Sequence, residues 1–325
     1  MIVPNYWAEA RIQHREPGKQ VTVRRFGWSD AGQEEAQSNA QERANEAMRR
    51  LLAGEDLPRR EPKVPYNGAD GVPIREEVID RHGDTVITRN SYGALCLNTP
   101  DVLFADVDFE RSYPTGLGCT LALVGMAFSI SFGLIQGEYF LGIILGIGFA
   151  LFGLLLAEVI AKLSIAITGG LEKRARRRIG KWIELHPDWR LRVYRTPNGL
   201  RLLATHRQFL SDEAEVADFF DSVGTDPLYA RMCRNQRCFR ARVSPKPWRI
   251  GLGKHIKPRP GTWPVRPEAM PQRREWIASY EEKSKAFASA RFEEELGTGS
   301  TNGDALEVQR IHDELSRATS GLPIA

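Results

Sequence analysis

Cysteine is scarce here: four residues in 325, Cys96, Cys119, Cys233 and Cys238. They are too few and too scattered for a disulfide framework, and Cys233 and Cys238 have no matching pair to complete a zinc knuckle. The sequence also has no glycine-rich phosphate loop, no nucleophile elbow and no His-Glu-x-x-His. Its six histidines, His14, His82, His186, His206, His255 and His312, stand singly. No basic segment followed by an apolar run opens the chain, so no cleaved leader is expected. What is present is unevenly spread. Hydrophobic residues at 42% and charged residues at 26% exclude disorder of the whole chain, and the length has room for two domains.

Two stretches contain no charge at all. Leu117–Ile135 and Tyr139–Ala157 each run for nineteen residues, separated by Gln136-Gly137-Glu138. About twenty apolar residues cross a hydrocarbon core of roughly 30 Å, and so short a break permits only a tight turn. The reading is a transmembrane hairpin over 116–168; the alternative is a helix pair buried in a soluble core, which would ordinarily keep a polar stripe. Beyond the second span, Lys173, Arg174, Arg176, Arg177 and Arg178 form a basic cluster, against Glu138 alone in the turn. That asymmetry places both termini on the cytoplasmic side of an inner (plasma) membrane. Glu158 and Lys162 stand four apart, suited to an intrahelical ion pair, with a proton or ion path as the rival use. Gly142, Gly146 and Ala150 make a small-residue stripe for packing the hairpin on itself, or else for a homodimer.

Around the hairpin the pattern is α+β. Residues 1–54 read as a β-hairpin turning at Pro17-Gly18, then a helix over about 31–53 capped by Ser29 or Asp30. Residues 55–73 read as a linker. Strands are expected near 75–81, 84–90, 92–98 and 102–110, then a helix over 170–186, a hairpin turning at Asn198-Gly199, helices near 212–223 and after Pro227, and a strand over 238–243. This order matches a split βαβ, ferredoxin-like sheet over 74–115 and 169–244, interrupted by the membrane hairpin. A Pro/Trp-rich basic segment, 245–271, is expected to be extended, followed by helices over about 272–296 and 304–318 within 272–325.

Asp106 and Asp108, one residue apart on a strand, project from the same face, an arrangement suited to Mg²⁺ or Mn²⁺ with phosphates and waters completing the shell. Arg192 and His206 belong near that face, and Arg240 and Arg242 join it if the last strand has matching register. The bland alternative is cross-strand pairing of Asp with Arg. Asp106-Val107-Asp108, with Ala204-Thr205-His206 following Asn198-Gly199, resembles the catalytic core of archaeo-eukaryotic primases and palm-type cores. The resemblance covers residues 100–245. It implies metal on the two acids, nucleotide phosphate at His206, and a nucleotide or nucleic-acid substrate. The sequence departs from the family at Ala204, where a hydroxyl residue is usual, and a third acid is not identifiable among Asp218, Asp221 and Asp226. The chain is also similar to uncharacterised bacterial membrane proteins, a likeness that supplies no activity.

Acids are nearly missing from Leu228–Arg274, where Glu268 stands against thirteen Lys or Arg, with Tyr229, Phe239, Trp248 and Trp263 interleaved. Such a tract suits anionic lipid headgroups or single-stranded nucleic acid, with Arg192, Arg240, Arg242, Lys246 and Arg249 as the contacts. Tethering beside a bilayer favours lipid. Neutralisation by the acidic first 115 residues and docking of a protein partner are the alternatives. The sequence therefore points to a membrane-anchored binding or scaffold module, with a metal-dependent nucleotide enzyme as the alternative.

Overall fold

The computed structural model describes residues 3–61, 73–109, 115–167, 169–253, 255–259, 261 and 263–325. The chain forms two compact units, Met1–Val107 with Trp182–Ala325, and Asp108–Lys181.

In the larger unit, β1 (Tyr6–Glu16) and β2 (Lys19–Ser29) pair antiparallel in unbroken register about a turn at Gly18, whose φ of 78° suits glycine. Helix α1 (Gln33–Leu52) lies across them. Its inner stripe is alanine, Ala36, Ala40 and Ala44, all fully buried against Ala8 and Ala10. Small residues let helix and hairpin approach until a Cβ on Gly27 would stand 2.1 Å from the Ala40 nitrogen. The expected cap at Ser29 or Asp30 moves to Gly32, which makes no side-chain cap; Ser29 Oγ instead accepts from the backbone N–H of Ala31. Most of the expected linker, residues 62–72, lies outside the described residues. Its first part is bound to β2, where Arg24 N–H donates to the Arg59 carbonyl at 2.9 Å.

The ferredoxin-like expectation of one sheet gives way to two. β3 (Glu77–His82), β4 (Thr85–Arg89), β5 (Leu95–Thr99) and β9 (Phe239–Arg242) form one four-stranded antiparallel sheet in that order. The other has the order β10 (Arg291–Leu296), β7 (Leu191–Thr196), β8 (Gly199–Ala204) and β6 (Phe104–Asp108). The last strand of the expected unit thus leaves β6 and pairs with β5. Register explains the choice: β9 sets Arg240 opposite Asn98, beside the buried acid Glu76, and Arg242 opposite Cys96. Helices α5 (Ala214–Val223) and α6 (Pro227–Gln236) connect the two sheets in sequence.

The helix expected over 272–296 is cut short. α7 spans Met270–Ser284, and residues 291–296 become the edge strand β10, which pairs with β7 and packs Phe292 on Tyr194. α8 (Gly303–Ser316) is capped by Asn302, whose side chain accepts from Asp304 and Ala305. The segment expected to be extended over 245–271 holds single helical turns at Pro247–Arg249 and Pro267–Ala269.

The smaller unit contains α2 (Thr115–Gln136) and α3 (Tyr139–Ile167), two long apolar helices in contact and joined at Gly137, where φ is +74°. α4 (Gly170–Leu185) follows and carries the chain back to the larger unit. Glycines set the α2–α3 approach: a Cβ on Gly133 would lie 2.7 Å from the Gly142 Cα, and one on Gly153 3.0 Å from the Ala122 nitrogen.

Gly27→Ala is expected to cost about 2 kcal/mol or more, since the clash is with helix backbone that cannot swing aside. Gly303→Ala, whose Cβ meets nothing within 4 Å, should be neutral or mildly stabilising. Urea unfolding followed by tryptophan emission compares the two.

Candidate functional site

The Asp-x-Asp strand is the natural starting point. β6 is almost wholly buried, with Phe104, Ala105 and Val107 at 0% exposure. Asp106 does not present free oxygens. Arg201, in the middle of β8, donates from Nε to Oδ1 at 2.8 Å and from Nη2 to Oδ2 at 3.1 Å. Its remaining arm, Nη1, donates to the Arg242 carbonyl at 2.7 Å. The Arg201 side chain is 2% exposed and that of Asp106 30%. Burial alone would weaken the guanidinium's hold on its proton, but the charge of Asp106 and its hydrogen bonds outweigh burial and raise its pKa. Asp108, the last residue of β6, is exposed. A divalent cation on Asp106 would stand beside the buried Arg201 charge and compete with it for the carboxylate. Among the described residues, no group of three His, Cys, Asp or Glu side chains converges as a metal would require.

His206 follows β8 and is half-buried. Its Nδ1 accepts from the Arg190 backbone N–H at 3.3 Å, and its ring lies 4.7 Å from that of Trp189 and 5.3 Å from that of Phe209. Nε2 is buried with no hydrogen-bond partner among the described residues. Trp182, His186 and Phe219 complete this aromatic cluster, and Trp182 stacks on His186 at 3.8 Å. Burial lowers the His206 pKa.

The five expected anion contacts are mostly turned to partners within the fold. Arg192 pairs with Asp313 at 3.0 Å and lies over the Phe292 ring. Arg240 is buried in an ion pair with Glu76 at 2.5 Å, and Thr88 donates to the same carboxylate at 2.6 Å. Arg242 is half-buried beneath Arg201, to which it gives its carbonyl. Lys246 lies over the Trp248 ring, and Arg249 donates to Asn198 Oδ1 at 2.6 Å. Of the helix residues, Gly142 faces Gly133, and a Cβ on Gly146 would lie 3.5 Å from the Met126 side chain, so these two members of the small-residue stripe face the partner helix of the hairpin. The Glu158–Lys162 pair falls on a side chain, that of Lys162, outside the described residues.

Sequence reasoning missed the buried partners. Arg201 stands alone in an apolar strand between Leu200, Leu202 and Leu203, which is itself the signal that a buried acid must meet it. His312 is fully buried, bonded through Nδ1 to Asp313 at 3.0 Å and packed on Tyr194 and Phe104. Burial depresses its pKa. Arg273, also fully buried, grips Glu77 with Nε and Nη2 at 3.1 and 2.6 Å. A cavity of about 350 Å³ lies elsewhere, against α1, lined by Arg25, Arg43, Glu46 and Glu61 among others, and holds none of the expected site residues.

Two outcomes follow. Asp106→Asn leaves the Arg201 charge buried without a counter-ion and is expected to cost about 3 kcal/mol; adding Arg201→Leu should recover part of that loss. Thermal unfolding of the two variants and the parent tests this. His206 and His312 have folded pKa values below the ordinary value of about 6.5, so the unfolded chain binds protons that the folded one refuses. The melting temperature should therefore fall as pH drops from about 7 to 5, and His206→Gln should remove part of that slope.

Comparison of the chain with protein-family models, with curated proteins and with solved structures gives no match. The functional reading rests on the geometry.

Proposed function

We propose that this protein is anchored in a bacterial inner (plasma) membrane by the α2–α3 hairpin, with both termini cytoplasmic. The larger α+β unit then serves as a binding or scaffold module at that surface rather than as an enzyme. One observation carries the reading: no more than 22% of either apolar stretch is buried, and most exposed large apolar side chains of the chain lie on these two helices. A helix that served a soluble core would hide those side chains, because an exposed apolar area of this extent needs a nonpolar partner. Lipid is the partner that suits two such helices joined by a tight turn. The basic residues after α3 favour the cytoplasmic assignment.

The enzyme alternative, with Mg²⁺ or Mn²⁺ on Asp106 and Asp108 and phosphate at His206, is disfavoured by the Asp106–Arg201 pair. Arg201 already shares the charge of both Asp106 oxygens and is itself buried beside them, so a divalent cation there would meet the repulsion of a guanidinium in the core.

Membranes washed in alkaline carbonate should retain the protein. Glu138→Cys in a Cys119→Ser background supplies a single reactive thiol, because Cys96, Cys233 and Cys238 are buried and the last is pushed up to about 11. A membrane-impermeant maleimide should label that thiol on intact spheroplasts. Release by carbonate would end the anchor reading, and labelling only after lysis would reverse the orientation.

A further inference from the structure

We infer that the exposed face of α6, carrying Leu228, Arg231 and Arg234, is a docking surface for anionic lipid headgroups; the inference rests on the membrane anchoring proposed above. The sequence tract from 228 to 274 holds many basic residues, and the fold sorts them. Arg240 and Arg273 are buried in ion pairs with Glu76 and Glu77, and Arg249 is bound to Asn198. α6 does the opposite. Tyr229, Met232, Cys233 and Gln236 form its buried side, while Arg231 and Arg234 stand at the centre of the opposite side, with Leu228 43% exposed beside them. Neither arginine has an acidic partner within salt-bridge distance among the described residues, unlike the surface arginines of α1 and α8, which pair with glutamates three positions away.

Two like charges a helical turn apart repel slightly, so this face contributes nothing to the helix that carries it. Arg237 extends the positive surface at the helix end with its backbone at φ 47°. The helix itself is held firmly to the sheet. Asp226, its cap, donates its backbone N–H to the Asp106 carbonyl at 3.0 Å, and the Tyr229 hydroxyl donates to the Phe104 carbonyl at 3.0 Å. α6 is thereby fixed to β6, and only six residues of sequence separate the end of β6 from the start of α2. Guanidiniums with an adjacent apolar side chain match the boundary between phosphate headgroups and acyl chains. Nucleic acid would be read by bases stacking on aromatic rings, and the described face of α6 presents none: its tyrosine is buried.

The test uses the full chain with Leu228→Cys in a Cys119→Ser background, labelled with an environment-sensitive dye. The protein is placed in nanodiscs of phosphatidylcholine alone or with phosphatidylglycerol added. The expected result is a blue shift in the anionic discs only, reversed by high salt and lost in Arg231→Gln/Arg234→Gln, which keeps the helix because glutamine is a good helix former. Equal emission in both discs, or a shift that survives the double substitution, overturns the inference while leaving the anchor intact. A shift induced by oligothymidylate in phosphatidylcholine discs, dependent on the same arginines, overturns it in favour of nucleic acid. Failure to enter discs of either composition defeats the anchoring and this inference together.

Discussion

Arg201 is the joint of the larger unit. Its guanidinium sits where the two sheets meet, and its three donor atoms hold β6 through Asp106 and β9 through the Arg242 carbonyl. A cation with 2% exposure is tolerable only when it is well partnered, and here each of its three nitrogens has a hydrogen bond. Tyr229 repeats the bridge on a smaller scale: its hydroxyl donates to Phe104 of one sheet and accepts from the Arg240 N–H of the other at 3.3 Å. The two sheets thus close around a polar seam rather than a purely apolar one. A bidentate arginine fits one arrangement of three strands and so reinforces the register that the alternating apolar faces already favour.

The same device recurs away from the joint. Glu76 with Arg240, Glu77 with Arg273, and Arg89 with Glu281 each tie the β3–β5 region to chain far downstream. Glu77 and Arg273 lie 196 positions apart. Such pairs add little net stability over an apolar replacement of the same shape, yet removing one partner is severe. They make the carboxyl-terminal third an integral wall of the fold. The segment rich in proline and tryptophan belongs to that wall at least in part: Trp248 meets Tyr92 edge-on at 5.4 Å, and Tyr280 donates to the Pro245 carbonyl.

Much of the local structure was legible because it depends on neighbours in sequence. Alternation placed the strands within a few residues, His82-Gly83 turned the chain at a glycine with φ 55°, and the uncharged runs became two helices in contact. What was illegible depends on partners far away. Nothing near Asp106 says that its counter-ion is Arg201, 95 positions on, and so a carboxylate suited to metal by spacing proved to be held by an arginine. β9 was recognised as a strand, but its sheet was decided by Glu76 and Asn98. β10 was misread because Glu293, Glu294 and Glu295 suit a helix by propensity, while the free edge of β7 and the Tyr194–Phe292 contact outweighed that preference.

The pairing of β5 with β9 joins residues made before the apolar hairpin to residues made after it. A ribosome delivers them in that order, so β5 must wait with an unpaired edge while some 140 further residues are synthesised. During that interval β1, β2 and α1, whose contacts with one another are local, can already have paired. The waiting edge is masked by no later strand until residue 242 has emerged. Assembly of the larger unit is therefore a late, cooperative event in the life of the nascent chain, and truncation short of β9 would release an open sheet rather than a smaller folded protein.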